Sequence, residues 1–509
     1  MNMRRINPAI KTLATALLLA THNFAGEVKI DDKPLSIGAL SEFGFVEEGL
    51  FRTAEGSSIS KMEWVDHFGA FITKKAIVND RLYLSAGLGG VFQFRKPETV
   101  GAGFAYHQRK SFFIGPTESE AVYHFGDPEN PWLKLGVGQF FYKYNPQASN
   151  LGEALFRSGP YPTFITTGGY VVVNSAAANL QGFKANYQSG ALKADMLFTT
   201  ETNMPPFYDW SLGLVASYSL GDGLLDLGAG VNFKRILSVR PSRTTRKTRE
   251  NAYFKDPTGK YYVGNVDFYG YSAEFNLNAA NKAYAQGNTA LGDHYAVQSS
   301  RDSAAAAYVT EVLSLPDGDP AKPAMDYFTS QGNLLMARAT LDFKKLFESS
   351  LFSPEDLKIF FELDVLGVSD YPVYYENITE RMPIMAGVNL PTFRLLDLLS
   401  VQMEYCNSPW FNNTNYIGQK LSNIPFIPIG TDDILSRTEF NDQAKHDNWK
   451  WSVLAQRTIK GRLTLSAQVA SDHLRLTSSE YYYGPQFDHN EVTALPKHWY
   501  WMTQLSWGI

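Results

Sequence analysis

Cysteine is nearly missing from this chain: Cys406 stands alone in 509 residues, so no internal disulfide can form. No Cys-His arrangement accompanies it, which removes a catalytic thiol from consideration. Long apolar runs are absent after residue 25, none approaching the roughly 18 residues that mark a membrane helix. Basic surplus is lacking too: 46 Lys and Arg face 51 Asp and Glu, for a net charge of -5, so nothing suggests nucleic acid as a partner. His67, His124, His473 and His498 fall on different segments, with no spacing that binds them into a catalytic or metal-holding set, so no enzyme and no cofactor is expected. Asp317-Gly318-Asp319 looks like a fragment of a calcium loop but lacks further ligands at the required spacing, and reads as a turn. A soluble protein of this length would usually divide into domains, yet no linker-like break separates any.

What the chain has in quantity is aromatic side chains, 14% of residues with 28 Tyr and 34 Phe, and 40 Gly, which suits a long, strongly curved sheet. The segment from Lys497 to Ile509 alternates strictly. Trp499, Trp501, Thr503, Leu505, Trp507 and Ile509 share one face; His498, Tyr500, Met502, Gln504, Ser506 and Gly508 share the other. Its length is close to the roughly 9 to 11 residues of a tilted membrane strand, with tryptophan near both ends where headgroups would sit. Residues 1–25 read as a secretory signal peptide: Arg4, Arg5 and Lys11 form a basic start, Leu13 to Ala20 an apolar middle, and Ala25 precedes Gly26.

The same alternation recurs along the chain. It predicts strands over 35–47, 61–73, 81–94, 111–125, 132–143, 180–188, 191–201, 210–220, 223–236, 333–345, 357–369, 383–390, 396–406, 448–459, 461–473 and 497–509. Pro116 weakens the fourth of these, since proline removes a ladder hydrogen bond. Tight turns such as Asn79-Asp80, Gln188-Ser-Gly190, Gly221-Asp-Gly223 and Lys460-Gly-Arg462 alternate with long connections. The segment 237–332 breaks the rhythm and is expected to be one large loop, too thin in apolar residues for a core, with a capped helix over 302–313; the alternative is a separate soluble domain. The run from Arg240 to Arg249 opens it and reads as a solvated loop, the alternatives being contact with lipid phosphates of the outer leaflet or drawing anions to the mouth.

A chain ending in an amphipathic aromatic strand, with even strand number and short turns opposite long loops, resembles the porin-like Gram-negative outer-membrane β-barrels. It departs from them at Ile509, where those proteins usually carry Phe or Trp. The expected fold is all-β: a transmembrane antiparallel β-barrel of about 16 strands, wide enough for an aqueous channel, formed by a single domain over 26–509. No plug or hatch precedes the first strand. The resemblance implies residence in the outer membrane, contact with outer-membrane lipid, and handling by the barrel-assembly machinery. It also implies passive diffusion of small hydrophilic solutes or ions, and leaves a homotrimer open. A surface adhesin or structural anchor, acting through 237–332, is the competing reading.

Charges on one parity and aliphatic residues on the other identify the wet side of such a wall. Gly136, Gly228 and Gly230 are among the small inward positions, and Cys406 falls on the wet side. Pore-lining candidates are Arg157, Lys184, Arg338, Asp342, Glu362, Asp364 and Glu404; candidate interface aromatics are Trp210, Trp449, Trp451, Trp499, Trp501 and Trp507. In general porins the third outer loop narrows the lumen, and 144–179 holds that place here. One reading sets Arg157 and Lys184 across the lumen from Glu362, Asp364 and Glu404 as a transverse field; the other has the loop lying over the mouth, with unrelated wall charges.

Overall fold

The computed structural model describes residues 28–30, 36–47, 63–95, 112–148, 178–200, 209–238, 247, 251–329, 331–347, 349–407, 448–471, 477–478, 486–487 and 498–508. The signal segment 1–25, Arg157 with the rest of 149–177, the run 240–249 apart from Lys247, and Ile509 lie outside the described residues.

In chain order the first strands are β1 (Val28–Ile30), β2 (Ser36–Glu47), β3 (Glu63–Val78), β4 (Leu82–Arg95), β5 (Phe112–Gly126), β6 (Pro131–Tyr142), β7 (Ala178–Ser189), β8 (Leu192–Thr200), β9 (Trp210–Leu220) and β10 (Leu225–Leu237). An insert follows, with β11 (Ala252–Lys255), β12 (Tyr261–Val263), helices α1 (Val266–Ala285) and α2 (Thr289–Ser314), and β13 (Met325–Tyr327). Then come β14 (Gly332–Asp342), β15 (Lys358–Val365), β16 (Ile384–Asn389), β17 (Leu398–Tyr405), β18 (Trp449–Ile459), β19 (Leu463–Ser471), the two-residue β20 (Thr477–Ser478) and β21 (Gln486–Phe487), and β22 (His498–Gly508).

One antiparallel sheet of 17 strands holds all of these except β11–β13, β20 and β21. β1 pairs with β3, from β2 onward successive strands of the sheet pair with each other, the insert is bridged by direct pairing of β10 with β14, and β22 pairs with β19 along one side and β2 along the other. Each tight turn lies at one end of the sheet. Residues with positive φ make those reversals: Asn79 and Asp80 at 53° and 57°, Lys460 and Gly461 at 50° and 66°, the backbone twist that matches a right-handed hairpin. Pro116 is absorbed rather than excluded, because the β4–β5 register shifts between Ala86 and Leu88 beside it.

β14 and β15 are among the strands that are shorter than their periodicity predicts. β14 stops at Asp342, whose carboxylate accepts from the Lys344 amide (3.2 Å) and starts a 3-10 turn over Phe343–Leu346. β15 stops at Val365, where the connection to β16 turns away and is held by buried Arg381, which donates to the Gly367 and Ser369 carbonyls (2.7 and 2.8 Å).

The insert differs most from expectation. In place of a single loop, residues 252–327 form a three-stranded sheet, β12-β11-β13, packed with a helical hairpin. Its core consists of Phe254, Tyr262, Val263, Tyr269, Ala305, Val309, Val312 and Phe328, completed by Tyr371, Tyr374 and Tyr375 from the β15–β16 connection. An apolar count underrates such a core, because tyrosine supplies the bulk and alanine the close approach between helices. The expected helix over 302–313 is the second half of α2, which starts instead at Asn288, whose side chain accepts from the Leu291 amide. Asp302 is no cap. Its carboxylate joins the hairpin, accepting from Ser272 Oγ (2.7 Å), Asn276 Nδ2 (2.9 Å) and Gln298 Nε2 (3.1 Å). Asp317 and Asp319 do form a turn, bonded to Lys322 Nζ and the Ala321 amide. Among the described residues no helix is long and apolar enough to cross a membrane.

Candidate pore interior and lipid face

The two faces of the large sheet carry the reverse of a soluble protein's pattern. Val137, Phe183, Leu214, Leu227 and Met403 are 39–49% exposed, whereas Glu362, Glu404 and Lys450 are fully buried, with Gln402 at 1%. Single exposed hydrophobics are ordinary, but a whole face of them opposite buried charges is not. Hydrocarbon around the first face would remove the cost of exposing it, and would make a charge there expensive, which accounts for the charges gathering on the second face.

Aromatic rings border the apolar face at both ends. At the tight-turn end Tyr123, Phe125, Trp132 and Tyr187 form a continuous string with centroids 4.8, 6.4 and 6.2 Å apart, none of them among the tryptophans singled out from the sequence. The signal for them was their place beside the tight turns. At the opposite end Trp210 stacks on Phe198 (4.9 Å), and Trp449, 53% exposed, lies against Tyr405. Trp451, Trp499 and Trp501 begin their strands at that same end and are half-buried. Trp507 pairs through its backbone with Leu463 and Ile37 at the tight-turn end; its side chain lies outside the described residues.

On the buried face the ladder register places opposite charges side by side. Glu362 on β15 is directly opposite Arg338 on β14, and Glu404 on β17 is opposite Lys450 on β18. Arg338 also lies 3.6 Å from Asp226 on β10, and Lys184 on β7 reaches Glu120 on β5 at 2.5 Å, its Nζ 4.7 Å from the Phe140 ring. Lys184 thus has an anion on its own wall, and Glu362 and Glu404 have cations as ladder neighbours. Asp342 is engaged in its turn, with Lys344 Nζ 3.6 Å away, and Asp364 lies opposite Met336. Glu120 was hidden from sequence reasoning by the irregularity at Pro116.

Glycine makes room for these long side chains. A Cβ on Gly136 would meet Glu120 Oε1 at 2.8 Å and Lys184 Cε at 2.9 Å; on Gly228 it would meet Arg338 Nε at 2.7 Å. Each glycine is the ladder partner of the side chain that lies across it, Gly136 of Lys184 and Gly228 of Arg338. So the long side chain lies along the wall.

The buried face is not uniformly polar, contrary to the reading from parity. Phe140, Leu180, Leu197, Phe360, Met385 and Leu454 also point into it. Part of this apolar set seats the chain that follows β6. Tyr142 donates to Asp195 Oδ2 (2.9 Å), and Asp195 also accepts from Asn186 Nδ2 (2.7 Å). Tyr144 packs on Val215 of β9 and Met336 of β14, and Ala148 on Phe360 of β15 and Met385 of β16. Between them, Asn145 Oδ1 accepts from the Gln147 amide in a local turn. The chain from Tyr142 to Ala148 thus runs from β6 over the inner side of β9 and β14 to β15 and β16. Burial lowers the Lys143 ammonium to about 8, with Glu362 and Glu355 acting in the opposite sense.

No family model matches the chain, and no curated protein matches it. Among solved structures it is similar to several mutants of the porin of Rhodopseudomonas blastica, one of them a triple mutant. Two of these are each 7% identical, cover 94% of this chain and 99% of their own, and have a TM-score of 0.38. A structure described as "Asymmetric conductivity of engineered proteins" is similar at 8% identity and a TM-score of 0.37 over the same shares.

Proposed function

We propose that the chain is an outer-membrane channel through which small hydrophilic solutes or ions diffuse passively, and that it is not an enzyme. The carrying observation is the inverted sheet: an apolar face turned outward between two aromatic borders, and charges, amides and glycines turned inward. The pairing of β22 with both β19 and β2 supports reading the sheet as a closed cylinder of sixteen strands, β1 standing outside the ring. The stretch from Tyr142 to Ala148 is then the narrowing element, the start of the loop 144–179. The signal peptide, outer-membrane lipid, the barrel-assembly machinery and a homotrimer belong to the same reading, in a Gram-negative outer membrane. Liposomes carrying the full chain should swell in isotonic solutions of small sugars at rates that fall with sugar size; liposomes that do not swell in any of them count against diffusion.

One observation favours the second reading, a surface adhesin or anchor. The insert has its own sheet, hairpin and aromatic core, more structure than a mere loop needs. Deleting 251–328 and joining the flanks separates the two. The channel reading predicts retained swelling; loss of cell attachment with retained swelling would assign the insert a role of its own.

A further inference from the structure

The five most exposed large hydrophobic side chains among the described residues are Leu395 (78%), Leu351 (64%), Leu346 and Phe393 (59% each) and Phe347 (55%). All five sit on two connections at the tight-turn end, 343–357 between β14 and β15 and 390–397 between β16 and β17. Elsewhere at this end the turns are short and polar, with exposed Asp80, Asp127, Glu129 and Asp222. Around the five lie exposed Lys345, Arg394, Lys460 and Arg462.

These connections are built, not slack. Asp356, fully buried, accepts from the Ser353 amide (2.8 Å), the Thr392 amide (3.1 Å) and Thr392 Oγ1 (3.0 Å). Ser353 Oγ donates to the Leu396 carbonyl (2.9 Å), and the Phe347 and Leu395 amides close their own turns on Lys344 and Thr392. Phe352 meets Phe393 with centroids 5.9 Å apart, so the two connections form one unit. Irregular backbone is tolerated near hydrocarbon only when its polar groups are satisfied within the protein, and the Asp356 cluster does this here.

The strands that adjoin the unit are short. β15, β16 and β17 have 8, 6 and 8 residues, while β3 to β6 have 12 to 16. Roughly 9 to 11 tilted residues are required to cross the hydrocarbon core, so this sector falls short.

We infer that the paired connections 343–357 and 390–397 are a membrane foot: they continue the apolar belt below β14–β17, with Leu346, Phe347, Leu351, Phe393 and Leu395 at the acyl boundary and Lys345, Arg394, Lys460 and Arg462 at anionic lipid headgroups of that leaflet. The inference rests on the membrane-barrel reading above. Basic side chains over apolar ones are the composition of an interfacial segment.

The test is spin-label accessibility in the full chain, refolded into phosphatidylcholine–phosphatidylglycerol vesicles in a Cys406→Ser background, with Cys406→Ala as a second background. Labels go at Phe347→Cys and Leu395→Cys, with Val137→Cys as a mid-strand control and Asp222→Cys as a turn control. Labels at 347 and 395 should collide several-fold more with oxygen than with a water-soluble nickel complex, as at 137, while 222 shows the reverse. Labels at 347 and 395 behaving like 222, while 137 stays in lipid, overturn the foot alone. Labels shielded from both reagents mean protein contact and overturn it too. A water-exposed 137 overturns the barrel reading itself.

Discussion

Leu214 and Leu220 offer a controlled test of what surrounds the apolar face. Both lie on β9 with the same parity, and they are 39% and 42% exposed, so water would treat Arg at either site alike. They differ in depth. Six residues at roughly 3.3 Å each, tilted by about 40°, separate them by about 15 Å, half of a hydrocarbon core of about 30 Å. Leu214→Arg therefore puts a guanidinium near the midplane, at a cost of about 2–4 kcal/mol, whereas Leu220→Arg near the interface costs about 0–1 kcal/mol. A difference of about 2 kcal/mol is roughly a 30-fold change in the folding equilibrium. Urea titration of each variant in liposomes, followed by tryptophan fluorescence, measures it. If the two variants agree within about 0.5 kcal/mol, the scale of ordinary surface substitutions, the face is in water and the inverted pattern has been misread.

Four further outcomes follow from named contacts. Gly228→Leu should destabilise by about 1–3 kcal/mol through overpacking against Arg338, read as a lower urea midpoint. Asp356→Ala strands the buried Ser353 and Thr392 amides at about 1–3 kcal/mol each, and should make the 343–357 connection protease-sensitive. Val309→Asp puts an uncompensated charge in the insert's core and should expose 251–328 to proteolysis while the strand signal in circular dichroism persists. Because the Lys143 ammonium is lowered to about 8, its charge is present below that pH and lost above it. Reversal potentials in a KCl gradient should therefore move toward cation selectivity as pH rises through that value, and Lys143→Met should abolish the movement.

Much of the sheet was legible because alternation is a local property: each long strand from Ser36–Glu47 to His498–Gly508 overlaps a periodic segment. Strand ends were less so. Asp342 looks like a wall residue by parity and becomes a cap because its side chain competes for a backbone amide. The insert was misjudged because its core is aromatic rather than aliphatic and is completed from outside the segment: Tyr262 and Tyr269 bury like core residues together with Tyr374 of the β15–β16 connection. Charge pairing was invisible for a different reason. Which of Lys184, Glu120, Arg338 and Glu362 become neighbours depends on register, and register depends on every turn and bulge before it. The seating of Tyr144 and Ala148 joins residues far apart in sequence, and nothing in the pattern of 144–179 alone announces it.

The central claim, that this chain encloses an aqueous path across a membrane, is tested most directly by single-channel recording of the purified full-length protein in a planar lipid bilayer. The account predicts discrete, reproducible current steps at low voltage whose size scales with salt concentration. Stable insertion without conductance at any voltage would contradict it, and would leave the folded insert as the working part of an anchored surface protein.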